Sequence, residues 1–366
     1  MRKGSWGVMA RGCPRLVHVG WYVALRLMAT LIDGNVAAMK VLELTDRAVS
    51  ENSIAAKRCF ACGGPSSSGS GEHVIPKWLQ HECRLFDERL TLLNGTYIPY
   101  RNLTVPCCID CNTGFLSNIE STVQPLLRRG HVAHGEEKLA LARWLSKILL
   151  GILVKETSLL FDRSQPDRGS IVDSGMIDDL RHCHFVLQSA RKPTSFTCLH
   201  GAFPFSFYSY RVPEYRRGHE FDLSTNVAGQ SVAIRVGQLG AIFINDGGFQ
   251  MHVGSKGPFE LSGADLSEIQ FREVSARVHY KAALRDATHF YLTFENEDVI
   301  QVEQLYVKSF SGLLPGSNEL RIFRDWNEAE LSHAMSAYMR VDRSMIFDEE
   351  SQTCRTTLSL PPRPDR

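Results

Sequence analysis

Two cysteine pairs carry the clearest chemistry in this chain. Two residues separate Cys59 from Cys62, and two separate Cys108 from Cys111, with Cys107 abutting the second pair. Two thiolates at that spacing can face one ion, because a tight knuckle turns the chain back on itself. A second pair completes a tetrahedral sulfur shell, which suits Zn²⁺ and makes the site structural rather than catalytic. Such an ion contributes on the order of 10 kcal/mol to folding. That is enough to order a segment as poor in core residues as the Gly/Ser-rich run from Gly63 to Gly71. Cys107 is an alternative fourth ligand, although Cys108 has the cleaner spacing.

The residues between the pairs suggest a second kind of chemistry. The run Glu72-His73-Val74-Ile75-Pro76-Lys77-Trp78 follows the first pair, and Asn102-Leu103-Thr104-Val105-Pro106 leads into the second. A carboxylate beside an imidazole can supply a metal ligand and a general base. Asn112 directly follows Cys111, in the first turn of a helix if the second pair opens one. There its amide oxygen can join an oxygen-rich Mg²⁺-type site, or simply cap the helix. For Glu72, metal ligand and solvent-facing carboxylate are even alternatives. Lys77, Arg84, Arg89, Arg101, Arg128 and Arg129 flank the motif and can neutralise phosphates. Trp78 can stack on a base or pack in the core.

At these residues the sequence resembles the HNH endonuclease family. The matching pieces are the first CxxC, the Glu-His-Val-Ile-Pro string, Asn102-Leu103 ahead of the second CxxC, and Asn112 directly after it. The continuation from Thr113 to Glu120 is similar to the helix of zinc-stabilised members. The likeness spans roughly residues 58–125. It implies a treble-clef or ββα-metal module cleaving DNA. His73 would be the general base, Glu72 and Asn112 would hold a catalytic Mg²⁺ or Mn²⁺, and Asn102 would help orient His73. Lys77 and Arg101 would contact nucleic acid. The extra residue at Cys107-Cys108 and the long stretch after His73 depart from compact members, and Asn94 is a rival for the role of Asn102.

Something must position these residues. The chain has 366 residues, with 41 Lys+Arg against 40 Asp+Glu, 43% hydrophobic and 22% charged. This is ordinary globular usage, which excludes a largely disordered chain, a fibrous repeat, a small disulfide scaffold and a uniformly basic nucleic-acid coat. The fold class expected is α+β: the zinc module, then a mixed helical and antiparallel-sheet domain. The expected divisions are a leader over 1–57, the nuclease-like module over 58–130, an accessory domain over 131–350 and a flexible tail over 351–366.

Residues 136–156 show helical periodicity, apolar on most sides. Residues 182–255 read as strands, with Asp246-Gly247-Gly248 as a turn before a strand over 249–253. The apolar stretch 16–32 is interrupted by His18 and Arg26, which disfavours export or a membrane anchor. Paired cysteines without an export signal point to a reducing compartment, the cytoplasm. DNA is the expected partner, no small-molecule cofactor is evident, and the sequence leaves homo-oligomerisation open. A competing reading is a catalytically inactive zinc finger that grips nucleic acid.

Overall fold

A computed structural model describes residues 40–41, 54, 56–67, 71–132, 135–157, 159–162, 164–171, 184–199, 201–213, 221–254, 265–309, 312–313 and 321–358. The interrupted apolar stretch 16–32 lies outside them. Among the described residues, no helix is long and apolar enough to cross a membrane.

The cysteine-bearing segment is built on a short antiparallel pair, β2 (Gly71–His73) with β5 (Thr104–Pro106), in the register Glu72 opposite Val105 and His73 opposite Thr104. A two-residue strand, β1 (Lys40–Val41), precedes it. Between β2 and β5 the chain makes helix α1 (Lys77–Glu82), then a hairpin of β3 (Arg89–Thr91) and β4 (Tyr97–Pro99), then a 3₁₀ turn over Tyr100–Asn102. This insertion accounts for the long interval between His73 and Asn102. After β5, a helical turn at Ile109–Cys111 and a kink at Gly114 lead into α2 (Ser117–Arg129). Ile119, Val123 and Leu127 recur every four residues along α2 and form its buried stripe. Gly130 stops the helix in the left-handed region, at φ 79°.

The helix expected over 136–156 is α3 (Gly135–Thr157). Trp144, Leu145, Ile148, Leu149, Ile152 and Leu153 lie on several of its faces, and all are buried. That fits a helix covered on all sides. The covering layers are the zinc segment and an antiparallel sheet. The sheet has the order β7 (Ser206–Arg211), β10 (Leu239–Ile244), β9 (Ser231–Val236), β8 (Phe221–Asn226). Val232, Ile234, Ala241 and Phe243 share a core with α3, while Ala233, Ile242 and Ile244 face α5 (Glu268–Ala283). Both faces are covered, so β10 reads as an unbroken apolar run and β9 as one interrupted by Arg235, rather than as alternating strands.

Ser267 and Gln270 close a capping box at the start of α5. A second sheet pairs β1, β11 (Ala287–Glu295), β12 (Ile300–Ser309) and β6 (Thr194–Thr197), with β6 parallel to β12. Helix α6 (Glu328–Met339) then packs on α5, followed by α7 (Arg343–Ile346) and the hairpin β13 (Phe347–Asp348)/β14 (Thr353–Cys354).

Three expectations need correction. Residues 249–253 form part of helix α4 (Phe249–Gly254), not a strand. The cause is Asp246, whose buried carboxylate accepts the N–H groups of Gly248 at 2.9 Å and Gln250 at 2.8 Å. It therefore caps a helix where a hairpin turn was expected. Residues 184–188 are helical too, inside the region read as strands. The stretch read as the start of a free tail is packed through Leu358, and the Thr357 hydroxyl and N–H both donate to Glu273.

Close approach of α5 to the sheet depends on Gly240. A Cβ there would lie 2.5 Å from Cε2 of Phe271, a ring buried under the sheet. Gly240→Ala should lower stability by about 1–3 kcal/mol, read as a lower urea midpoint with an unchanged slope.

Candidate metal centre and its surroundings

The four sulfurs of Cys59, Cys62, Cys108 and Cys111 lie within 4.8 Å of one another. Cys62 Sγ and Cys108 Sγ are 3.8 Å apart, which matches the edge of about 3.8 Å in a tetrahedron with Zn–S bonds near 2.3 Å. Backbone bonds shape each knuckle. Gly63 N–H donates to the Cys59 carbonyl at 2.8 Å, and Gly64 N–H to Cys62 Sγ at 3.4 Å. Asn112 N–H donates to the Cys108 carbonyl at 3.1 Å, and Cys111 N–H to Cys108 Sγ at 3.5 Å. Phe60 N–H joins the first knuckle to the Pro106 carbonyl at 2.9 Å, at the end of β5. Cys107 points to the side: its thiol approaches Cys59 Sγ at 3.8 Å and donates to the Cys108 carbonyl at 3.4 Å.

The donor set fits zinc on electrostatic grounds. Hydrogen bonds from Cys107 and Cys111 push the Cys59 thiol far down. The same contacts, together with burial, push Cys107 and Cys111 up, and burial raises Cys62. Without a cation the sulfurs resist ionising together, because like charges this close disfavour one another. A divalent ion removes that limit and lets four thiolates coexist.

Four thiolates around Zn²⁺ still leave two net negative charges, and a cation from a distant segment sits against them. Arg191 donates to Cys111 Sγ at 3.3 Å and to the Ala61 carbonyl at 3.1 Å, with its guanidinium 3.9 Å from the Phe115 ring centroid. Gln188 donates to the same Ala61 carbonyl at 2.6 Å. One guanidinium thus touches both knuckles. Nothing local in the sequence marks Arg191 or Gln188 for this role, because only the fold brings them to the cysteines.

Glu72 is buried rather than solvent-facing. Its carboxylate pairs with the ammonium of Lys147 on α3, and Glu120 of α2 pairs with the same ammonium. Lys147 is wholly buried. Burial alone would push its ammonium down, but the charges of Glu72 and Glu120 outweigh that and hold it above the usual lysine range. Glu120, which reads from the sequence as a surface charge, is therefore one of three members of an interior ion-pair triad. His73 is half-buried. Burial, then the charges of Lys77 and Lys147, push its imidazole below the usual histidine range. Its Nδ1 has no hydrogen-bond partner among the described residues.

The asparagines separate by environment. Asn94 spends its side chain on the β3–β4 turn, accepting from Thr96 N–H at 3.1 Å. Asn102 ends the 3₁₀ turn, exposed, two residues before the partner of His73. Asn112 is half-buried beside Cys111, at the start of the kinked segment. Lys77 is exposed at the start of α1. Arg101 pairs with Asp87 and lies over the Phe86 ring, 5.2 Å from its centroid. Trp78 packs against the core.

Two outcomes follow from this geometry. Purified protein should hold one zinc per chain by elemental analysis, and Cys111→Ser should lose it together with much of the thermal stability. Lys147→Met should cost about 3–5 kcal/mol in urea unfolding, because two carboxylates lose their buried counter-charge. Adding Glu72→Gln and Glu120→Gln should restore most of the loss.

Comparisons with protein-family models, with curated proteins and with solved structures return no match for this chain.

Proposed function

We propose that residues 58–130 are a zinc-ordered module that binds nucleic acid, a treble clef of the HNH type. The observation that supports this reading is the four-sulfur cluster, which fastens the β2–β5 pair to the start of α2. Zinc folds of this size present a helix and loops to phosphates. Exposed Lys77 supplies a cation on the same segment. Glu72 is engaged by Lys147, which leaves it no free carboxylate for a divalent ion and favours binding over cleavage.

A second reading, hydrolysis of DNA, is favoured by one feature: the unpartnered Nδ1 of an imidazole held in its neutral form. In that reading His73 accepts a proton from the attacking water. Asn102 orients His73, and Asn112 supplies an amide oxygen to Mg²⁺ or Mn²⁺, whose charge would neutralise the phosphate. The module would then act in phage defence or on mobile elements.

Gel-shift titrations on single- and double-stranded DNA test the first reading. Affinity should fall steeply between about 50 and 200 mM salt, and Lys77→Ala should flatten that dependence. Absence of any shift at low salt would remove the binding reading. Plasmid incubation with Mg²⁺ or Mn²⁺ tests the second. Nicking should drop by about 10²–10⁴-fold in His73→Ala, whereas a plasmid left intact by the wild type ends the hydrolytic reading.

A further inference from the structure

A cleft of about 1040 Å³ opens where the insertion of the zinc module meets β8, α5 and α6. One wall comes from the end of α1 and from β3. The other comes from β8, the last strand of its sheet, with α5 and the end of α6. Clefts of roughly this size at the junction of two structural units commonly hold small ligands.

The lining is rich in arginine. Arg84 and Arg89 come from the module side, Arg272 and Arg340 from the opposite side. Among the described residues, neither Arg84 nor Arg89 forms an ion pair, and both are exposed. Arg272 pairs with Asp222 and with Glu268, each at 2.7 Å, while Arg340 pairs with Asp222 at 3.2 Å. Glu82, also in the lining, is taken by Arg128. Glu88 remains as an acceptor. Tyr100 and Tyr338 add ring surface.

Two of these arginines occupy unfavourable backbone. Arg84 follows the last turn of α1 at φ 54°, and Arg340 caps α6 at φ 59°. Helix ends in the left-handed region favour glycine, since a Cβ is costly there. At both ends a guanidinium-bearing side chain stands instead, and both side chains reach the same cleft. Backbone strain of this kind gathers where a side chain serves a ligand.

We propose that this cleft binds a nucleoside phosphate. Guanidinium groups from the two walls pair with the phosphate oxygens, where planar, bidentate contacts are strong. The aromatic rings and the Glu88 carboxylate meet the base and ribose, whose amino and hydroxyl groups are donors. A mixed lining of this sort selects a nucleotide over inorganic phosphate. The ligand bridges the zinc module and the sheet domain, independently of whether the module binds or cuts nucleic acid.

The test is direct binding of methylanthraniloyl derivatives of ATP and GTP to the full-length, zinc-loaded protein, without added divalent ion. Saturable binding is expected for at least one of the two, displaced by the parent nucleotide and not by inorganic phosphate. Arg84→Gly and Arg89→Ala should each weaken it by about tenfold or more. Arg84→Gly should do so with no fall in melting temperature, because glycine suits that position better, so misfolding is separated from loss of contact. Lys77 lies outside the cleft, and Lys77→Ala should leave nucleotide binding unchanged, which separates this site from the function proposed for the module. Absence of saturable binding by either derivative would overturn the proposal. So would binding indifferent to both arginine variants, or displacement by inorganic phosphate as readily as by nucleotide. Retention of a short oligothymidylate alone, sensitive to the same variants, would also overturn it and make the cleft part of a nucleic-acid path.

Discussion

Crowded thiolates are the constraint on which the zinc segment depends. Four sulfurs drawn within 4.8 Å of one another can all ionise only around a cation. The surrounding secondary structure is too slight to hold them there unaided: β2 and β5 are three residues each, and the second knuckle is a single helical turn. Metal and chain therefore order each other. The ion sets the spacing between the knuckles, and that spacing sets the β2–β5 register and the direction in which α2 departs. His73 and Asn112 owe their placement to the same arrangement, since one ends β2 and the other directly follows the last ligand.

The zinc segment does not end at its own ligands. A single apolar cluster includes Cys59, Val74 and Leu103 together with Trp144, Leu149 and Phe243, so the core runs unbroken across the boundary near residue 130. Gly151 of α3 permits this, because a Cβ there would lie 2.9 Å from a methyl of Val74. Polar contacts cross the same boundary. Lys147 reaches Glu72 and Glu120, and Arg191 reaches Cys111 and Ala61. Buried ion pairs add little net stability over a well-packed apolar replacement, but they are costly to break. What they supply here is a fixed relative placement of strand, helix and knuckle.

How far the sequence reveals this arrangement depends on the range over which each signal acts. The cysteine spacing is local chemistry, and the cluster forms from the four residues that the spacing selects. The periodicity of 136–156 is also local, and α3 follows it within a residue at each end. Within the stretch 182–255 that reads as strands, 231–236 and 239–244 do pair as β9 and β10. The failures come from longer reach. A glycine pair after Asp246 looks like a hairpin turn until Ser206, forty residues earlier, shows that the aspartate is buried and already accepting bonds. Glu72 reads as ligand or surface charge because its partner, Lys147, is on a helix more than seventy residues further along the chain. Arg191 carries no local mark at all. Charge partners separated by many residues are set by tertiary packing, and periodicity and spacing do not encode them.

The interior lysine bears on the chemistry as much as on the fold. An ammonium between two carboxylates occupies the kind of position a divalent cation would take, with one charge in place of two and no open coordination site. It can neutralise Glu72 and Glu120, but it cannot activate a water as a metal does. It also lies close enough to His73 to help keep that imidazole neutral. A neutral imidazole can accept a proton, so the same lysine that engages the neighbouring carboxylate favours the basic form of the histidine. Lys147 thus opposes a metal at Glu72 while favouring a proton acceptor at His73, so the hydrolytic reading needs a cation held through Asn112 without the help of Glu72.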